Sequence, residues 1–156
     1  RISIIDSDLY NRSVAMYTKR KFRYAQHSSG VAWVDFTFRR MRVVLVKVVE
    51  KIVLKKRLTH TDHTKTSGRK CVLLGLWVPS EKTIYINSAT KDLKGAHHPM
   101  TKTLIHELYH ILDETASEQE VIRADKILWR MYSPGQKEEL KRFIPKNDPS
   151  VELLLL

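Results

Sequence analysis

The sequence has a single cysteine, Cys71, in 156 residues, so no disulfide can form within the chain. A chain of this length can bury a core without disulfides, and we expect one compact unit. A lone cysteine is compatible with a reducing compartment, which favours the cytoplasm. Because the chain begins with Arg1 instead of methionine, we expect it to be a trimmed or processed piece.

Long hydrophobic runs are also missing. The longest, VVLVKVVEKIVL at 43–54, is interrupted by Lys47, Glu50 and Lys51 and falls short of the roughly 20 apolar residues that span a bilayer. We therefore predict no membrane span. Internal repeats and low-complexity tracts are absent too, and 42% hydrophobic with 29% charged residues is typical of a folded globular protein rather than a disordered one.

Acidic residues are scarce in the first half of the chain. Residues 1–71 contain 17 Lys/Arg and 5 Asp/Glu, whereas residues 72–156 contain 11 and 12. A basic surface of this kind favours contact with nucleic acid through residues 1–71. The alternative interpretation is a solvated basic face, because no known nucleic-acid-binding motif accompanies the charge.

The N-terminal two thirds of the chain predicts mainly strands. VAWVDFTF at 31–38 alternates like a strand, with Ala32, Val34, Phe36 and Phe38 on one side. Residues 41–57, rich in Val and Ile, predict one long strand or two successive ones, and residues 71–78 and 82–89 predict a hairpin. A short basic helix is predicted over residues 9–25.

Helices are predicted towards the C-terminus. One begins near Pro99, Ser117 caps a second, and Ser133 with Gln136 forms a capping box that starts a third. The second helix is expected to bury an apolar stripe. That stripe consists of Val121, Ala124, Ile127, Leu128 and Met131. Residues 147–149 end the helical part.

The first of these helices contains the motif HELYH at 106–110. Residues four apart lie on one helix face, so His106 and His110 can reach one metal ion while Glu107 lies beside them. The alternative is an ordinary helix with an exposed His/Glu face. A second pair, His60 and His63, lies in a polar loop without a third ligand and is expected to be solvated.

A catalytic zinc normally has three protein ligands and an open position. The metzincin continuation needs a glycine and a histidine where this chain has Asp113 and Ala116, which excludes that class. Cys71 lacks the surroundings found in peptide deformylases. Glu118 and Glu120 remain as candidates for the third ligand.

The segments GLWVPSEKTIYINSA, TKTLIHELYHILD and SEQEVIRADKIL resemble the hairpin, HExxH helix and glutamate helix of small minigluzincin or ImmA/IrrE-type metallopeptidases, many of them phage or prophage proteins. The resemblance covers about residues 50–144. It implies an α+β, zincin-like fold in which a small twisted sheet with a hairpin packs on the motif helix. It also implies a metallopeptidase domain at 49–156. It leaves unexplained the basic segment at 1–48, whose role is unknown and which we expect to pack on or cover the core.

In the resembled family the ligating glutamate commonly stands three residues before a small or β-branched apolar residue, which matches Glu118 before Val121. The sequence departs from the family at Ile122, where members often have asparagine. The resemblance thus implies a peptidase with one Zn²⁺ on His106, His110 and Glu118.

Glu107 is then the general base, and a peptide or protein substrate is expected to lie along residues 82–89. The candidate oxyanion donors are Tyr109, Tyr132, His97 and His98, although a structural or solvated role is favoured for each of them. Two other functions stay open: a nucleic-acid-binding or regulatory protein with a structural metal site, and a latent peptidase whose first 48 residues cover the cleft.

Overall fold

The computed structural model describes residues 27–61, 70–89 and 98–146, and it confirms the α+β class. Its helices and strands follow one another along the chain as α1 (Ala32–Lys47), β1 (Lys51–Lys55), β2 (Thr59–Thr61), β3 (Lys70–Val72), β4 (Gly75–Val78), β5 (Thr83–Asn87), α2 (Met100–Leu112), α3 (Glu118–Met131) and α4 (Pro134–Lys141). The predicted basic helix at 9–25, His63, His97 and residues 147–149 lie outside the described residues.

The main sheet has three strands in the order β1-β5-β4. β5 pairs with β1 in parallel and with β4 in antiparallel orientation, so its hydrogen-bonding groups are used on both sides. The expected hairpin is present as β4 and β5, with a turn over residues 79–82. Cys71 does not extend β4, because β3 pairs with β2 in a separate two-stranded sheet.

The strand predicted at 31–38 is wrong, because these residues begin the helix α1. The alternation that suggested a strand holds over only a few residues. Phe36 is 55% exposed, whereas Val34, Phe38, Met41 and Leu45 are buried. These buried residues are three or four positions apart, which is helical spacing. The helix continues to Lys47, so only the later part of the predicted strand region, β1, is extended.

The helix α2 lies at the centre of the described fold. It contacts α1, α3 and α4 as well as β4 and β5. Leu104, Ile105 and Leu108 are fully buried and pack with α1 residues and with Ile84 and Ile86 of β5 in one hydrophobic core. Burial on several sides fixes the position of α2, and therefore of the HELYH residues at its C-terminal half.

Local capping signals place the last two helices as predicted. Ser117 Oγ accepts a hydrogen bond from the backbone N–H of Glu120, and Ser133 and Gln136 form the reciprocal capping box. The predicted stripe of α3 is partly wrong. Ile127 is 46% exposed, while Asp125, which was not included, is buried.

The start of α1 is tied to the start of α4 through Asp35. Its carboxylate accepts hydrogen bonds from the hydroxyl groups of Ser28 and Ser29, from the Ser29 backbone N–H and from the Gln136 side-chain amide, at 2.6–2.8 Å. The helix α1 ends before the domain boundary predicted at residue 48. Its buried residues nevertheless belong to the same hydrophobic core as the elements that follow it. Among the described residues, no helix combines the length and apolar character needed to cross a membrane.

Candidate metal centre

Three predicted ligands come together at the C-terminal half of α2 and the first residue of α3. The Nε2 atoms of His106 and His110 lie 3.2 Å apart. Glu118 Oε1 lies 2.9 Å from Nε2 of His106, and Oε2 lies 2.8 Å from Nε2 of His110. One ligand atom from each residue therefore falls within a sphere suited to one ion.

These distances can be compared with the size of a zinc coordination shell. Zn–N bonds of about 2.05 Å at a tetrahedral angle place two ligand atoms about 3.3 Å apart. The separation of 3.2 Å between the two histidine nitrogens is close to that value. The Glu118 carboxylate oxygens lie 2.8–2.9 Å from the two histidine nitrogens, which is a few tenths of an ångström less than that value. The residues present therefore fit a four-coordinate metal ion with one position left open.

The connection from α2 to α3 explains how Glu118 reaches the histidines. Only five residues, 113–117, separate the two helices. The Asp113 N–H donates to the Tyr109 carbonyl, the Ala116 N–H donates to the Asp113 carbonyl, and Ser117 then caps α3. The short link turns the chain back sharply, so the first residue of α3 faces the last turn of the motif helix.

The two glutamate candidates have different positions. Glu118 belongs to the ligand group, although its side chain is 61% exposed. Glu120 does not belong to that group and lies exposed on the first turn of α3. Residues two apart on a helix point about 200° away from each other, so only one of the pair can face the histidines.

Glu107 is buried next to the ligands, with only 6% of its surface exposed. The Trp77 backbone N–H of β4 donates a hydrogen bond to its carboxylate. Gly75 in the same strand permits this approach, because a Cβ there would lie 3.1 Å from Glu107 Oε1 and 2.6 Å from Thr103 Cγ2. The side chain is thus held between α2 and the edge of the sheet.

The protein surroundings raise two pKa values at the site. The pKa of Glu107 rises from 4.5 to about 7, mainly because its carboxylate is buried; the His106 charge opposes this rise and the Glu118 charge adds to it. Burial lowers the pKa of His106, but the hydrogen bond to Asp125 and the charges of Glu107 and Glu118 outweigh it, and the net shift is upward. A cation at the site would lower both values.

Asp125 is a polar partner of the site that the sequence did not reveal. Its Oδ2 lies 2.5 Å from Nδ1 of His106, the ring nitrogen opposite the one that faces Glu118. The only sequence signal was an acidic residue on the apolar side of α3.

Ile122, the position that is often asparagine in the resembled family, is 38% exposed.

Tyr132 is unsuited to the role of oxyanion donor. It is 3% exposed, its hydroxyl lies 3.2 Å from Met41 Sδ and its ring packs edge-on against Phe38. It is therefore a core residue. His60 lies in β2. His98 is not part of the ligand group within the described part of the chain.

Comparison with known proteins gives no match to a family model, to a curated protein or to a solved structure. The resemblance to minigluzincin and ImmA/IrrE-type peptidases therefore stays a prediction from the sequence motifs.

Proposed function

We propose that this chain is a zinc-dependent peptidase of the gluzincin type, with one zinc held by His106, His110 and Glu118 and with Glu107 as general base. The observation that carries the proposal is the convergence of two imidazole nitrogens and a carboxylate beside a second, buried carboxylate. Three protein ligands with an open fourth position favour a catalytic over a structural zinc site.

The protein residues divide the chemistry among them. When bound, zinc lowers the pKa of a water molecule towards neutrality and polarises the carbonyl of the scissile peptide bond. Glu107 would accept a proton from the water molecule that attacks the carbonyl carbon. As the C–N bond breaks, Glu107 returns the proton to the leaving amine. The Trp77 N–H keeps the Glu107 carboxylate in place for both transfers.

Residues 82–89 were expected to bind substrate, but β5 is hydrogen-bonded to β1 and β4 and offers no free edge for a peptide. β4 is an edge strand among the described residues, and an extended peptide can add to such an edge through backbone hydrogen bonds. The Trp77 N–H on that strand is already used by Glu107, which places the general base beside the edge. We therefore propose the outer edge of Gly75–Val78 as the substrate strand, where a bound peptide passes the general base.

The Glu107→Gln variant tests the proposed reaction. The amide is nearly isosteric but cannot accept a proton, so the variant should keep its zinc and lose peptide hydrolysis. Wild type and variant are loaded with zinc, their metal content is measured, and both are incubated with a mixture of unstructured peptides. Glu120→Gln is the matched control and should cleave like wild type. Turnover that survives in Glu107→Gln, or a zinc-loaded wild type that cleaves nothing, would contradict the proposal.

A nucleic-acid-binding protein is the second candidate, and the surface of α1 favours it. Arg39, Arg40, Arg42 and Lys47 are exposed there, and the only acidic residue of the helix, Asp35, is turned towards Ser28 and Ser29. Binding to DNA or RNA that weakens steeply with salt, without any peptide cleavage, would support it over the peptidase. The single cysteine continues to favour a cytoplasmic compartment for either function.

A further inference from the structure

Asp125 occupies a position of α3 where packing calls for an apolar residue. Val121 and Leu128, one turn away on each side, are fully buried, and Asp125 itself is 6% exposed. A buried carboxylate loses its hydration and is costly unless a partner replaces the lost water. The residue at this position is therefore explained by what it contacts rather than by the core around it.

The contact of Asp125 is with one of the metal-site histidines. Its Oδ2 lies 2.5 Å from Nδ1 of His106, while Nε2 of the same ring faces Glu118 and His110. The two nitrogens of His106 are thus divided between a buried carboxylate and the ligand group. A neutral imidazole carries one proton, so whichever nitrogen holds it cannot bind a metal.

One face of α3 supplies both carboxylates. Glu118 and Asp125 are seven residues apart, which is two helical turns with a rotation of only about 20°. Glu118 reaches Nε2 of His106 from the helix start, and Asp125 reaches Nδ1 from two turns further along. The docking of α3 on α2 therefore fixes both the position of the ligand Glu118 and the orientation of the His106 ring.

We propose that Asp125 is a positioning residue of the metal centre. It accepts a hydrogen bond from Nδ1–H of His106, which keeps the proton off Nε2, directs the Nε2 lone pair at the ion and holds the ring at the angle that the ion requires. The inference rests on the proposed metal site, and it does not depend on the chain being a peptidase.

Zinc affinity is the first test, measured by titration of the full chain against a competing chelator. Asp125→Ala should weaken zinc binding roughly 10- to 100-fold. Asp125→Asn should lose less, because its amide oxygen still accepts the hydrogen bond but carries no charge. Glu114→Gln, which removes one exposed acidic charge from the α2–α3 turn, should bind zinc like wild type. A residue with a merely structural role would lower thermal stability and leave the affinity of the folded molecules unchanged.

The tautomer of His106 is the second test, and it uses the wild type, so it stands even where Asp125→Ala fails to fold. ¹⁵N spectra of the zinc-loaded chain should show a protonated Nδ1 and a metal-bound Nε2 on His106. Zinc on Nδ1, equal zinc affinity in the Asp125 variants, or a wild type that binds no zinc would overturn the inference. A wild type that binds zinc with this tautomer and cleaves no peptide would contradict the peptidase alone.

Discussion

Gly75 of β4 packs directly against Glu107 of α2, so closely that a Cβ on residue 75 would lie 3.1 Å from both Cγ and Oε1 of the glutamate. The same Cβ would lie 2.6 Å from Thr103 Cγ2. A side chain larger than hydrogen fits there only if the Thr103 and Glu107 side chains, α2 or the strand shift. The proposed general base is therefore positioned by a glycine that lies 32 residues earlier in the sequence.

Gly75→Ala should displace Glu107 and reduce peptide hydrolysis, while zinc content stays near that of wild type. Overpacking of this kind costs about 1–3 kcal/mol of unfolding free energy. Adding Thr103→Ser removes the Cγ2 that is nearest to the new methyl group and should restore part of the stability. Thermal unfolding and turnover of the single and double variants measure this. If the Gly75→Ala variant is as stable and active as wild type, the close approach of β4 to α2 is wrong.

Removing the metal should leave a chain whose stability falls as pH rises through the range in which Glu107 titrates. The pKa of Glu107 is raised from 4.5 to about 7 in the folded chain, so the folded state holds the proton more tightly than the unfolded state. The protonated form supports folding below about pH 4.5, and that support is lost between about pH 4.5 and 7.

Glu107→Gln should therefore gain stability relative to wild type across that range, because its amide does not ionise. His106, whose pKa is raised by the hydrogen bond to Asp125 and by the charges of Glu107 and Glu118, adds a loss of stability at higher pH that is smaller in Glu107→Gln. Chemical denaturation of both metal-free proteins from pH 4 to pH 8 measures the difference. A difference in unfolding free energy that is independent of pH would show that Glu107 is not buried as described.

Asp35 should make the fold sensitive to acid. Burial alone would raise the pKa of Asp35, but its hydrogen bonds to Ser28, Ser29 and Gln136 lower it from 3.8 to about 2. A depressed pKa stabilises the folded state above about pH 3.8, and this contribution is lost as pH falls to about 2.

Asp35→Asn should therefore be less stable than wild type at neutral pH, and the two unfolding free energies should converge as pH approaches 2. Urea unfolding at several pH values tests this. Gln136→Leu removes one of the hydrogen-bond donors to Asp35. It should also lower the unfolding free energy at neutral pH and weaken its dependence on acid pH, by a smaller amount than Asp35→Asn. Equal stability of Asp35→Asn and wild type at pH 7 would rule out the link between α1 and α4.

The third ligand is tested by a matched pair of variants on one helix turn. Glu118→Gln should weaken zinc binding strongly, since the carboxylate faces both histidines, whereas the exposed Glu120→Gln should bind zinc like wild type. Titration of each variant against a competing chelator gives the comparison. Strong binding by Glu118→Gln together with a loss in Glu120→Gln would move the ligand to Glu120.

Local signals in the sequence predicted the C-terminal helices well. Ser117, Ser133 and Gln136 act within one turn of their own positions, so a cap can be recognised without knowledge of the fold. The histidine pair follows from the same locality, through the spacing of His106 and His110. The choice of Glu118 over Glu120 rested on the family resemblance, and the short turn does bring Glu118 into the group.

The errors concern features that depend on distant contacts. Val34 and Phe38 fit either a strand or a helix over a short window, and the choice is decided by burial against α2 and β5. β5 became the central strand because β1, some thirty residues earlier, pairs with it. Asp125 was overlooked because its partner His106 becomes a neighbour only when α3 docks on α2.

The most direct test of the account is the metal content of the full chain, purified without chelators and supplied with zinc. We expect one zinc per chain, with X-ray absorption showing two imidazole nitrogens and a carboxylate oxygen at about 2.0–2.2 Å, and we expect that zinc to be absent from His106→Ala and His110→Ala. A folded wild-type chain that holds no stoichiometric zinc, or that holds it equally well without either histidine, would contradict the account.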